Sequence, residues 1–299
     1  MKKPRKILVT GVDGFLGSHL VDLLSKHYQI IGISQHFSKS TNNFKIIKSD
    51  VRKISFKLIP KDIDCIIHLA AITDVKYCQD NPIECFDVNV KGTQNLLEIS
   101  KKLNAKFIFL SSSHVYGMPT KNPISEIHPR NPISVYASSK FAAEILCESY
   151  ARNYNLSLII LRLFSVYGPN SPKHLVTSRI ISQMMTSDTI KLGNLKPKRD
   201  FIYVTDAVHA IELVIRKSQG FNIYNIGSGK SYSIDTICKL LTKMSTKKIQ
   251  TSSIPTFVRK NDILNMTSDS TQLRKLGWKP KISIEEGLKL TYNYMDNRD

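Results

Sequence analysis

The chain has 299 residues, 41% of them hydrophobic and 22% charged, which excludes a disordered, collagen-like or disulfide-stapled protein. Its 43 Lys+Arg against 24 Asp+Glu give a formal charge of +19, a field that attracts anions of any class. About three Lys occur for each Arg, spread from Lys2 to Lys289, so a solvated basic surface is expected and a specific nucleic-acid stripe is not.

The five cysteines, Cys65, Cys78, Cys85, Cys147 and Cys238, form no C-x-x-C pair and no Cys/His metal spacing. Reduced thiols, no metal and a cytoplasmic location are the expectation. The basic start, Met1 to Lys6, leads into an apolar stretch broken by Gly11, Asp13 and His19, unlike a signal peptide. No run approaches the roughly 20 apolar residues that cross a bilayer, so no membrane partner is expected.

In chain order the pattern predicts strands near 6–10, 29–34, 45–48, 63–69, 106–112 and 156–162, with helices at 14–27, 82–103 and 134–154. Short apolar runs alternating with amphipathic stretches call for parallel strands joined by crossover helices. Runs such as Ile63 to Ala71 barely alternate, as strands buried on both faces do not. The first half is therefore α/β, a doubly wound parallel sheet. Beyond Val166 the rhythm loosens into a smaller mixed α/β region, with helices near 174–187, 204–218, 233–245 and 284–296.

The first predicted strand runs into Gly11-Val12-Asp13-Gly14-Phe15-Leu16-Gly17 and then a helical stretch. The glycines permit a tight turn, let amides approach a pyrophosphate, and let the helix pack on the sheet. The second strand ends Gly32-Ile33-Ser34-Gln35-His36 without the carboxylate that grips the ribose of NAD. That leans toward NADP, with Lys39 as a candidate for its extra phosphate, and leaves NAD or NADP open.

Tyr136 and Lys140 stand four apart in Tyr136-Ala137-Ser138-Ser139-Lys140, on one face of a helix. An ammonium beside a phenol lowers its pKa and fits Tyr for acid/base work. Upstream, Leu110-Ser111-Ser112-Ser113-His114-Val115-Tyr116-Gly117 brings three hydroxyls to the carboxyl end of a strand, the edge where open α/β sheets bind ligands.

These segments resemble the extended short-chain dehydrogenase/reductase superfamily, in its nucleotide-sugar epimerase, dehydratase and reductase branch. The likeness runs on through His68-Leu69-Ala70-Ala71, Asp87 to Thr93, Arg162 to Pro169, Arg199 to Val204, Asn225 to Lys230 and Leu276 to Pro280. It implies a Rossmann-type NAD(P)-binding domain over 1–165 with a returning segment at about 200–222. A nucleotide-sugar-binding domain then covers 166–199 and 223–299.

By position, the resemblance implies Ser112, Tyr136 and Lys140 as the catalytic residues. Gly11, Gly14, Phe15, Leu16 and Gly17 then hold the cofactor diphosphate, Asp50 and Val51 its adenine, and Leu69, Ala70 and Ala71 its length. Asn89 supports the active-site lysine. Arg199 and Arg259 match arginines on the substrate diphosphate, and Ser165 replaces an Asn there.

The implied partner is a GDP- or UDP-hexose, and the implied assembly a homodimer through helices 82–103 and 134–154. Dehydratases of this branch carry Asp-Glu where this chain has Ser113 and His114, which argues against 4,6-dehydration. The serine run resembles 4-epimerases such as those acting on UDP-glucose. Thr10 to Phe15, Leu192 to Leu195 and Gly227 to Ile234 are similar to GDP-4-keto-6-deoxymannose reductases, which puts a C4 ketoreductase slightly ahead. The charge motivates a rival, a non-catalytic dinucleotide-sensing or nucleic-acid-binding scaffold.

Overall fold

The computed structural model describes residues 6–36, 44–258 and 262–296, so Lys39 and Arg259 lie outside the described residues. The chain opens with β1 (Lys6–Thr10), α1 (Phe15–Leu24), β2 (Gln29–Ser34), β3 (Lys45–Lys48) and β4 (Cys65–His68). Then come α2 (Val75–Asp80), α3 (Pro82–Phe86), a π-helical turn (Asp87–Lys91), α4 (Gly92–Leu103), β5 (Lys106–Ser112), α5 (Val135–Tyr154) and β6 (Leu158–Leu163). The second half holds β7 (Ser165–Tyr167), α6 (Val176–Thr186), β8 (Thr189–Leu192), β9 (Lys198–Tyr203), α7 (Val204–Lys217) and β10 (Phe221–Ile226). It ends with β11 (Ser231–Ser233), α8 (Ile234–Thr242), β12 (Gln250–Ser253), β13 (Asn265–Met266), α9 (Thr271–Lys275) and α10 (Ile284–Asp296).

Two compact units result. One takes the chain up to Gly117, Arg130–Leu163 and Val208–Tyr224; the other takes Met118–Pro129, Phe164–Ala207 and the chain from Asn225 onward.

In the first unit the strand order is β10-β6-β5-β4-β1-β2-β3, with every pair from β6 to β3 parallel. Ile7, Leu8, Ile66, Ile67, Phe107 and Phe109 have no solvent exposure, as expected for strands covered on both faces. The order reverses between β1 and β4, and a doubly wound sheet binds ligands outside the carboxyl ends of such strands. α4 and α5 stop at Asn104 and Asn155, whose positive φ of 51° and 50° gives each helix a left-handed cap.

The expected single helix over 82–103 is instead α3, the π turn and α4. The turn carries Asn89 inward, where Oδ1 accepts from the Ile72 amide at 2.8 Å and Nδ2 donates to the Ile72 carbonyl at 3.0 Å. An apolar period cannot register such an inserted residue. α2 was not expected at all; its Asp74 cap accepts from the amides of Lys76 and Tyr77.

In the second unit β9 pairs antiparallel with β11 and parallel with β7 and β13, while β12 pairs with β8. α10 packs on α6 and α8. The return to the first unit begins at Val208 rather than near 200, because Asp200 is buried among donors from Ser228, Gly229 and Ser268. Residues 118–129 also join this unit. Ile124 donates to the Thr267 carbonyl and accepts from Asp269, both at 2.8 Å. Among the described residues no helix is long and apolar enough to cross a membrane.

Candidate active site

The turn after β1 has the geometry its glycines predict. Gly11 has φ of 71°, and a Cβ added there would sit 2.9 Å from the Ala70 amide nitrogen. At Gly17 a Cβ would lie 2.0 Å from the Gly11 carbonyl oxygen, an impossible contact, so α1 starts this close to the turn only with glycine. The Gly14 amide donates to the Gly11 carbonyl at 3.1 Å, and Gly14 caps α1 with no side-chain hydrogen bond. The first-turn amides of α1, including Phe15, Leu16 and Gly17, form a cradle that suits a diphosphate. A nicotinamide dinucleotide fits these residues.

The exit of β4 lies against this turn. Thr10 Oγ1 accepts from the Ala70 amide at 3.1 Å and meets His68 Nδ1 at 2.8 Å, which places Leu69, Ala70 and Ala71 beside the glycines. His68 Nε2 meets Thr93 Oγ1 at 3.1 Å, and Thr93 donates to the Asn89 carbonyl at 2.6 Å. Burial pulls His68 down to about 3, so the ring is neutral. Asp50 is gripped by Arg52 through Nε at 2.8 Å and Nη2 at 2.6 Å, which holds its carboxyl below the usual range. Val51 is buried against Gly92, where a Cβ would come within 2.8 Å of its side chain.

Ser112, Tyr136 and Lys140 come together at the carboxyl end of β5 and the start of α5. All three are buried. Ser112, whose Oγ accepts from the His114 amide at 3.2 Å, favours the Tyr136 phenolate, but burial prevails and pushes the phenol up to about 12. Burial also brings the Lys140 amine down to about 8. The expected lowering of the phenol by Lys140 is therefore not the governing effect. Lys140 Nζ lies 4.3 Å over the Phe109 ring, and the pull on the phenol comes from Ser112.

The three serines of the run divide their work. Ser111 donates to Glu144 Oε1 at 2.5 Å, Ser112 faces Tyr136, and Ser113 opens the 3₁₀ turn that follows. His114, half-buried, meets the Tyr136 ring edge-on with centroids 5.9 Å apart. Asn89 reaches α5 through Ser139, donating to its hydroxyl at 2.9 Å, and Ser139 donates to the Tyr136 carbonyl at 2.8 Å.

Of the substrate candidates, Ser165 and Arg199 stand in the second unit. Ser165 opens β7 opposite Phe201. Arg199 forks onto Asp262 Oδ1 at 2.8 Å and the Ile263 carbonyl at 2.5 Å.

Several members of the first unit's site were not anticipated. Ser139, Thr93 and the thiols of Cys78 and Cys85, 2.8 Å apart in one cluster with Tyr136, were not singled out, because the contacts of Ser139 with Asn89 and of Thr93 with His68 join segments distant in the chain. Glu144 did carry one, since Tyr136, Lys140 and Glu144 repeat at i, i+4 and i+8 on one helix face.

A doubly wound sheet with a glycine turn at its switch point and a Ser, Tyr and Lys cluster at the tip of β5 defines the extended short-chain dehydrogenase/reductase class. Within it the chain belongs to the family described as GDP-mannose 4,6 dehydratase, whose model matches residues 8–291. A putative UDP-glucose 4-epimerase of Methanocaldococcus jannaschii is 32% identical over 306 aligned positions, covering 98% of this chain and 99% of that protein. The dTDP-D-glucose 4,6-dehydratase of Homo sapiens is 30% identical, covering 97% of this chain and 89% of its own. Among solved structures, the UDP-glucuronic acid 4-epimerase from Bacillus cereus, in complex with UDP-glucuronic acid and NAD, has a TM-score of 0.91. It is 29% identical and covers 98% of this chain and 100% of its own.

Proposed function

We propose that this chain is an NAD(P)-dependent enzyme that transfers a hydride at C4 of a nucleotide-diphosphate hexose, and that it inverts that carbon as a 4-epimerase. The observation that carries the reading is the gathering of buried Ser112, at the carboxyl end of β5, with buried Tyr136 at the start of α5 and Lys140 one turn further along it. The dinucleotide, when bound, supplies the hydride acceptor and donor. Gly11, Gly14, Phe15, Leu16 and Gly17 hold its diphosphate, Asp50 and Val51 its adenine, and Leu69, Ala70 and Ala71 the stretch between. Asn89 steadies α5 through Ser139.

Tyr136 takes the proton from the O4 hydroxyl and returns it to the same oxygen. Ser112 hydrogen-bonds that oxygen as its charge changes, and Lys140 holds the nicotinamide ribose. The phenol has to fall from about 12 for this work near neutral pH, so the site is tuned only once the sugar and a cationic ring enter. Arg199, Arg259 and Ser165 bind the nucleotide diphosphate, and Arg199 does so while held by Asp262.

Epimerisation is supported over elimination by Ser113 and His114, which stand where an acid pair would be needed to remove water. It is supported over reduction by the relatives named 4-epimerases. A second reading, reduction of a 4-keto sugar by NADPH, is favoured by one observation: β2 ends in Ser34 and is followed by Gln35 and His36, with no carboxylate to repel a 2′-phosphate.

The test is to release and identify the dinucleotide from fresh protein, then incubate UDP-glucose, UDP-N-acetylglucosamine, UDP-glucuronic acid and GDP-hexoses and resolve the C4 epimers. Retained NAD and an equilibrium mixture of epimers are expected; an empty site and NADPH-driven reduction support the second reading. Tyr136→Phe should lower kcat by roughly 10²- to 10⁴-fold while dinucleotide binding persists. Turnover by Tyr136→Phe at the wild-type rate sinks the assignment.

A further inference from the structure

Glu144 and Arg162 are opposite charges buried in the first unit, with side chains 0% and 1% exposed. Such a pair is expensive to bury, and apolar residues of like volume often serve stability as well, so its retention asks for another purpose. Arg162 Nε donates to Glu144 Oε1 at 3.0 Å and Nη2 to Oε2 at 2.8 Å. Arg162 Nη1 donates to the Tyr116 hydroxyl at 2.9 Å. Glu144 Oε1 also accepts from Ser111 Oγ at 2.5 Å, and Oε2 from Arg130 Nη1 at 3.2 Å.

The placement of these partners matters. Ser111 is directly opposite Arg162 in the β5–β6 register and directly precedes Ser112. Glu144 stands one turn beyond Lys140 and two beyond Tyr136 on α5. One carboxylate thus ties β5, β6 and α5 together at the end where Ser112, Tyr136 and Lys140 gather.

We infer that Glu144 is a positioning residue: fixed by Arg162, Arg130 and Ser111, it sets Ser112 against Tyr136 and supplies the anion that balances the ammonium of Lys140. The inference rests on reading Tyr136 as the acid/base of this site. Around Lys140 stand the Phe109 ring on β5, neutral His68 on β4, Cys85 on α3, and Cys147 and Glu144 on α5. Cys147 is kept as a thiol by burial, which leaves Glu144 as the carboxylate of that set. Its charge opposes the burial that brings Lys140 down to about 8.

The test uses the full chain. Glu144→Gln keeps the shape and one acceptor but removes the charge. The Lys140 amine, followed by NMR of labelled lysine and assigned with Lys140→Arg, should titrate about one pH unit lower. The alkaline limb of kcat should move down with it, with KM for the sugar nucleotide little changed.

Because the single change strands Arg162, a second variant, Glu144→Leu with Arg162→Met, removes both charges at similar volume. It should fold cooperatively, yet lose at least about tenfold in kcat, the lower part of what a misaligned acid/base costs. A Lys140 titration unmoved in Glu144→Gln, or wild-type kcat in the folded double variant, overturns the inference. If the wild type turns over no nucleotide sugar, the functional reading fails, while the Lys140 titration still decides the electrostatic role of Glu144.

Discussion

Glu144 in the first unit and Asp200 in the second are both fully buried carboxylates, and the two units satisfy them by different means. Glu144 is met by the guanidinium groups of Arg162 and Arg130. Among the described residues Asp200 is met by neutral donors: the amides of Ser228, Gly229 and Ser268 and the hydroxyls of Ser228 and Ser268, at 2.5 to 2.9 Å. Burial raises the Asp200 carboxyl above its ordinary value, and those donors pull it back. Cations impose a direction and a charge on their surroundings, which suits a residue one turn from Lys140. Amides and hydroxyls from two loops stitch backbone together, which suits a hub on β9.

The comparison breaks first at Arg162. Arg162→Met alone leaves the Glu144 charge without its bidentate partner and should cost about 3–5 kcal/mol of unfolding free energy in urea. A much smaller loss would show that Arg130 suffices and that the contrast with Asp200 is one of degree.

Asp200→Asn should cost about 2–3 kcal/mol, since an amide turns donors toward donors and the charge-assisted bonds are lost. Ser268→Ala removes one hydroxyl from the same hub and leaves its amide bond, so about 1 kcal/mol is expected. Should Asp200→Asn prove neutral, the hub is carried by backbone pairing and not by the carboxylate.

His68 offers a third case, an ionisable ring held by the hydroxyls of Thr10 and Thr93. Its folded pKa, about 3, lies below the 6.5 of the unfolded chain. The unfolded state therefore takes up a proton that the folded state refuses. Stability is full above 6.5 and falls as pH drops toward 3, by about 2 kcal/mol at pH 5. Unfolding free energies at pH 7 and pH 5 should show this slope in the wild type and a flatter one in His68→Asn. Equal slopes would place the acid sensitivity elsewhere.

Much of this was legible in one dimension because its causes are local. Apolar runs without alternation marked β1, β2, β4, β5 and β6, and the glycines at 11, 14 and 17 marked a turn whose backbone tolerates no Cβ at Gly17. Tyr136 and Lys140 lie on one helix face by period alone. The π turn escaped notice, since one inserted residue leaves composition unchanged while rotating Asn89 toward Ile72.

The electrostatics were less legible. A Lys four residues from a Tyr suggests a lowered phenol, yet the phenol is pushed up, because burial is contributed by α2, α3 and β5 together. Likewise nothing at positions 111, 130, 144 and 162 announces that they share one carboxylate. Periodicity, turn chemistry and residue type, which act over a few neighbouring residues, fixed the class of fold and nominated Ser112, Tyr136 and Lys140. Which charges are dry, which are paired and which hydroxyl meets the phenol depended on strands and helices distant in sequence, because desolvation and hydrogen bonding are set by what lies nearby in space.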